Sequence, residues 1–271
     1  MLNKSIHWQS SSCEDLPAFS LVFDIGANLQ VVGLATIGYR IFMCGRFVLK
    51  SDNEQIAQMF DLAKVPQLVP RFNIAPSQPI MAIRNSRNPT GRREGTELQW
   101  GLIPSWAKDK RIGTRLINAR SETLTEKPSF REAFRHRRCL IPADGYYEWG
   151  ISVRGKQPHF IHRRDNECFA MAALWERWHS SEGDLVESTT LLTTAANAEL
   201  STLHSRMPVI LEPSTYETWL KQSPESSSRL AQLLKPAPEG IFVADAVSSA
   251  VNNPRHDGPN CIEPLGAANG E

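Results

Sequence analysis

The sequence predicts an α+β fold: a single domain with a mixed, mainly antiparallel curved β-sheet flanked by short helices. Three observations carry this. β-like runs outnumber helix-like ones, the two do not alternate regularly as a doubly wound sheet requires, and the helix-like runs open on Ser-x-x-Glu spacings that cap short helices. A chain of 271 residues with 41% hydrophobic and 22% charged side chains can bury a sizeable core.

Residues 1–42 show no clear amphipathic period and few charges, and read as a leader that is non-native or removed. The domain is expected over 43–265, with 266–271 a flexible tail. Ser51 and Glu54 form a capping box before Ile56, Met59 and Phe60 at helical spacing. Strands are expected at 80–83 and 98–102. A second box, Ser129 and Glu132, follows Pro128, and strands return at 139–141, 159–161 and 169–174. Asp165-Asn166 reads as a hairpin turn between the last two. Strands at 189–193, 209–211 and 241–243, a helix-like run at 198–203 and a third box, Ser214 and Glu217, complete the pattern. The Ser-rich residues 223–228 read as a surface loop.

Composition excludes several classes. The formal net charge is +1, so a nucleic-acid role must rest on a local patch. Cys13, Cys44, Cys139, Cys168 and Cys261 are odd in number and form no CxxC pair, which opposes a disulfide framework or a zinc site. Walker, GxGxxG, GxSxG and HExxH patterns are missing, so no metal or cofactor is expected. The longest uncharged run near the front, residues 25–39, is too short for a bilayer helix. Glu14, Asp15 and Asp24 make it a poor secretory signal, so a cytoplasmic location is expected.

What remains are polar residues in apolar or turn-forming context. Asn118 and Arg120 follow Leu116-Ile117, Glu148 ends the aromatic run Gly145-Tyr146-Tyr147-Glu148-Trp149, and His204 precedes a strand. Taken singly, such residues are more often structural than catalytic. Between Lys108 and Arg138 stand ten Lys and Arg against four acids, a local excess of six. That run is either a solvated charged face or, with Trp100 and Trp106 beside it, a groove that holds single strands by phosphate contact and stacking. The tryptophans could equally be core.

These segments together resemble the SRAP family, the SOS response-associated peptidases or abasic site processing proteins. The resemblance rests on seven ordered motifs. They are Met43-Cys44-Gly45-Arg46-Phe47, residues 70–76 (PRFNIAP), 100–106 (WGLIPSW), 118–123 (NARSET), 138–149 (RCLIPADGYYEW), 204–208 (HSRMP) and 247–252 (VSSAVN). It covers about four fifths of the chain, from Met43 to about Pro264. It implies that Cys44 is an N-terminal nucleophile, that Asn118, Glu148 and His204 line the same site, and that Arg120 clamps a phosphate; Arg46, Trp100 and Trp106 are expected to bind DNA with it. Phe72 and Tyr146 depart from the family pattern by exchanging one aromatic for another, which should leave the chemistry unchanged.

The chemistry so implied is a thiazolidine. An opened abasic deoxyribose presents an aldehyde, which an N-terminal cysteine attacks with its α-amine (pKa about 7.7–8.0) and closes upon with its thiol (about 8.5). Glu148 would relay protons, His204 assist sugar-ring opening or reversal, Asn118 bind a sugar hydroxyl, and Arg120 clamp a phosphate. An internal cysteine cannot do this, because its nitrogen is an amide. The expectation is therefore that the working chain starts at Met43, which is then removed, or is cleaved before Cys44. The expected partner is single-stranded DNA with abasic sites, met by a monomer, with protease or lyase activity alongside the crosslink. The alternatives are a cysteine or N-terminal-nucleophile peptidase and a non-covalent single-strand-binding module.

Overall fold

Among the described residues, thirteen strands fall into two sheets. The computed structural model describes residues 44–86, 93–153, 155–221 and 227–266, all within one unit, Ile41–Glu271, whose core is built from its own side chains. The expected leader, Met43 and the tail beyond Gly266 lie outside the described residues.

The first sheet is antiparallel throughout. It contains β1 (Phe47–Leu49), β2 (Arg71–Ile74), β7 (Gly145–Ser152), β8 (Gly155–Arg163) and β13 (Phe242–Ala246), ordered β13-β8-β7-β1-β2. The second contains β3 (Pro79–Asn85), β4 (Arg93–Trp100), β5 (Asn118–Arg120), β6 (Arg138–Ala143), β9 (Phe169–His179), β10 (Leu185–Ala195), β11 (Arg206–Pro208) and β12 (Ile210–Leu211). Because β10 pairs with both β4 and β9, the strands β10-β4-β3-β6-β9 close into a ring. Only the β10–β4 and β10–β5 pairings are parallel among those described. The predicted α+β class with a mixed, mainly antiparallel curved sheet is what forms.

The strand β9 shows why these residues build the core. Phe169 through Trp175 are all buried, which requires cover on both faces of the strand. Helix α2 (Pro128–His136) packs on β6 and β9, and α4 (Tyr216–Leu220) on β6, where Trp219 Nε1 donates to the Cys139 carbonyl at 2.9 Å. No helix among the described residues is long and apolar enough to cross a membrane.

Several local expectations shift. Helix α1 (Asn53–Phe60) is capped by Asp52, whose carboxylate accepts from Gln55 N at 2.9 Å. Ser51 Oγ is engaged instead by the buried Asp144. Ser129 does not cap α2, because Pro128 takes the first helical position and Lys127 precedes it without a side-chain cap. Ser214 lies in a 3₁₀ turn, Pro213–Thr215, ahead of α4, so the third box is not formed either. Asp165-Asn166 lies in a turn, but β8 and β9 belong to different sheets and make no hairpin. The strand expected at 98–102 ends at Trp100. Two of the Ser-rich residues, Ser227 and Ser228, open helix α5 (Ser227–Ala231), while 222–226 lie outside the described residues.

Candidate active site

The register of β1 against β7 positions Cys44. Phe47 faces Tyr146 and Val48 faces Gly145, so the three residues before Phe47 run back alongside Glu148 and Trp149. Tyr147 N donates to Arg46 O at 3.0 Å and extends this pairing. Cys44 adopts a left-handed backbone (φ 41°), unusual for a residue with a Cβ. Its backbone nitrogen donates to Glu148 Oε1 at 2.8 Å.

Both groups are buried, Cys44 at 1% and Glu148 at 3% exposure. Burial pushes the Glu148 carboxyl up to about 8, only partly offset by the Cys44 N–H bond. Burial, with the Glu148 charge second, also holds the Cys44 thiol well above its ordinary range. A thiol so placed is a poor first nucleophile.

Alternation along β7 sets its two faces apart. Tyr146 joins the main core with Cys44 and Phe47, whereas Tyr147 packs with Val48, Phe160 and Val251 and donates its hydroxyl to Phe72 O at 2.7 Å. Gly150 continues the Tyr146–Glu148 face. A Cβ there would sit 3.0 Å from Leu203 Cδ2 and 3.2 Å from His159 Cε1, so glycine lets the 200–204 segment approach. That approach brings in His204, whose Nδ1 accepts from Arg206 N at 3.1 Å. Its pKa is lowered, chiefly by burial, which keeps the ring neutral near pH 7.

Asn118 and Arg120 arrive on β5, which runs parallel to β10 with Asn118 beside Leu191 and Arg120 beside Thr193. Arg206 fastens this strand's continuation to the His204 segment. Its guanidinium meets Glu122 bidentately, at 2.7 and 2.9 Å, and donates to Thr193 O at 2.6 Å. The Arg206 bond comes first among the causes that lower the Glu122 carboxyl. The described bonds bring together Cys44 and Glu148; His204, Asn118 and Arg120 come in on neighbouring segments.

Arg46 is half-buried, and much of its guanidinium is spent inside the protein. Nη1 reaches Asn73 Oδ1 at 3.0 Å and Val251 O at 2.7 Å. The fully buried Asn73 in turn donates to Val251 O, Asn253 O and His256 O, tying the PRFNIAP motif to the VSSAVN motif. Trp149, which the sequence did not single out, donates Nε1 to Asn252 Oδ1 at 2.7 Å and lines a cleft with Gly45, Arg46 and Thr114.

The two tryptophans part company. Trp106 is 58% exposed and lines a cleft of about 680 Å³ with Lys108, Arg111 and Arg115. Trp100 corrects the expectation of a stacking platform. It is 0% exposed, donates Nε1 to Ile117 O at 2.9 Å, and packs edge-on against Phe47. The physical reason is alternation along β4, which puts Trp100 on the buried face with Leu98. The strand ends there, and Gly101 (φ 126°) is pressed on the backbone of Gly113, where a Cβ would meet the carbonyl oxygen at 2.6 Å.

The basic run is also smaller than its count. Arg138 is buried and donates to the carbonyls of Phe134, Arg135, Trp219 and Lys221, and Arg137 pairs with Glu176 at 2.7 Å. Arg111, Arg131 and Arg135 each have an acid alongside. Arg115, Arg120 and Lys127 line one cleft with Asn118, and Arg115 is shared with the Trp106 cleft. The Trp106 cleft thus adjoins the Gly45–Trp149 cleft through Thr114 and the Asn118 cleft through Arg115.

The profile of the SOS response associated peptidase (SRAP) family matches residues 43–254, and the chain belongs to this family. It is 41% identical over 227 residues to the abasic site processing protein YoqW of Bacillus subtilis (strain 168), covering 82% of this chain and 99% of that protein. It is 32% identical over 239 residues to the abasic site processing protein YedK of Escherichia coli (strain K12), covering 82% and 100%. Among solved structures, a protein from Bacteroides thetaiotaomicron superposes with a TM-score of 0.72 at 26% identity, covering 82% of this chain and 99% of that one.

Proposed function

We propose that this protein processes abasic sites in DNA by covalent capture, forming a thiazolidine between Cys44 and the aldehyde of an opened abasic sugar. The observation that carries the reading is the Cys44 nitrogen held 2.8 Å from the Glu148 carboxyl in a buried site. With residues 1–43 gone, that nitrogen is an α-amine of pKa about 7.7–8.0, and Glu148 becomes its proton acceptor. The raised thiol orders the events: the amine forms the imine first, and the sulfur closes the ring second. Neutral His204 assists opening of the sugar, Asn118 binds its hydroxyl, and Arg120 takes a flanking phosphate. Trp106 and the Arg115–Lys127 cleft hold a single strand without reading bases. The working protein in this reading is a cytoplasmic monomer that shields abasic sites during the response to DNA damage.

One observation favours an accompanying self-cleavage. A carboxyl with its pKa near 8 faces the peptide nitrogen of Cys44, in a residue of left-handed backbone. A neutral acid there can protonate that nitrogen as water adds to the Met43 carbonyl and the C–N bond breaks, leaving Met43 as a carboxylic acid and Cys44 as the new N-terminus. Peptidase chemistry on other chains has less support, since a buried, protonated thiol is not an activated nucleophile.

Incubation with abasic and intact single strands tests the proposal. Protein beginning at Cys44 is expected to give a denaturation-resistant adduct with the abasic strand only, and Cys44→Ser is expected to abolish it. An undiminished Cys44→Ser adduct would sink the mechanism.

A further inference from the structure

The hydroxyl of Tyr146 is the group in this site that the reaction above does not use. Tyr146 is 0% exposed, and its oxygen has no hydrogen-bond partner among the described residues. It stands two residues before Glu148 on the same face of β7, opposite Phe47, in the core cluster that contains Cys44. Folding gains nothing from a buried, unsatisfied hydroxyl.

We propose that the Tyr146 hydroxyl donates a hydrogen bond to the Cys44 sulfur as that sulfur loses its proton, making Tyr146 a catalytic donor for ring closure. This rests on the crosslinking reading and deepens it. In the closing step the thiol proton passes to the Glu148 carboxylate. The sulfur pair forms the C–S bond to the iminium carbon, and the C=N π pair returns to nitrogen. The charge on sulfur before attack is buried, and an O–H donor beside it is what a buried anion needs. Burial and the neighbouring Cys44 and Glu148 charges all push the phenol upward, so it stays protonated and remains a donor throughout.

Tyr146→Phe removes the oxygen and nothing else, and both variants are compared with Cys44 as the first residue and a single-stranded oligonucleotide carrying one abasic site. Borohydride trapping reads the imine, and resistance to it reads the closed ring. The expected result is a melting temperature at or above that of the unaltered protein and an unchanged rate of imine formation. Ring closure is expected to slow about tenfold, with its pH profile moved up by about one unit. Closure and pH profile both unchanged would overturn the role of Tyr146 alone, as would a lowered melting temperature with both steps slowed equally. Absence of any adduct with the unaltered protein would overturn the crosslinking reading and this one with it.

Discussion

Glu148 gives the folded chain one pH dependence that belongs to a single buried carboxyl. In the chain with Cys44 in peptide linkage, its pKa is raised to about 8, against about 4.3 when unfolded. Between those values the folded state holds a proton that the unfolded state has released. Its contribution is therefore fully present below the unfolded value and is lost as pH rises through the folded one. Glu148→Gln is expected to flatten that decline, read as melting temperature from pH 5 to pH 9; an identical slope in both proteins would contradict it. That Cys44 and Glu148 share a site followed from the family resemblance and not from either segment read by itself. The unpartnered oxygen on Tyr146 was not legible, because in sequence it differs from phenylalanine by one atom whose surroundings only the β1–β7 register defines.

At the scale of elements, Trp100 and Trp106 show what a motif conceals. The two stand in one short segment, WGLIPSW, and sequence gives them the same reading. Trp100 ends β4 on its buried face, whereas Trp106 lies past the turn at Gly101 and stays on a cleft. Trp100→Ala is expected to cost about 3–5 kcal/mol of stability. Trp106→Ala should cost less than about 0.5 kcal/mol while weakening single-strand binding, and denaturant melts with fluorescence titration separate the two. The capping boxes illustrate the same limit. Ser129 and Ser214 have the right spacing, but Pro128 and Pro213 set where each turn begins, whereas Asp52, one residue past Ser51, makes the cap that forms.

For the molecule as a whole, the α+β class could be read because strand-like runs outnumber helical ones. The closure of β10 onto β4, in addition to its sequence neighbour β9, could not, since Ser188 and Gln99 pair across about 90 residues and leave no local signal. The charge count likewise overstated the DNA-facing surface, because Arg138 and Arg137 serve the fold. Single-strand affinity is therefore expected to depend on salt through few contacts. Replacing Arg115, Arg120 or Lys127 by Ala should each flatten the log–log salt slope by about 0.7, whereas Arg138→Ala should unfold the protein instead. Slopes that stay at the value of the unaltered protein in all three variants would place the strand elsewhere.

The bonds from Arg46 and Asn73 to the Val251 carbonyl join segments 205 and 178 residues apart. A polypeptide still leaving the ribosome lacks that anchor until nearly all of it has been made. Under the proposed mechanism, its reactive end therefore stays unassembled until then. Chains stopped before Val251 are expected to capture no abasic strand even with Cys44 leading, as a gel of the mixture would reveal. Under the proposed mechanism, maturation of the trap is timed by completion of the chain, so its armed form is one that has already folded.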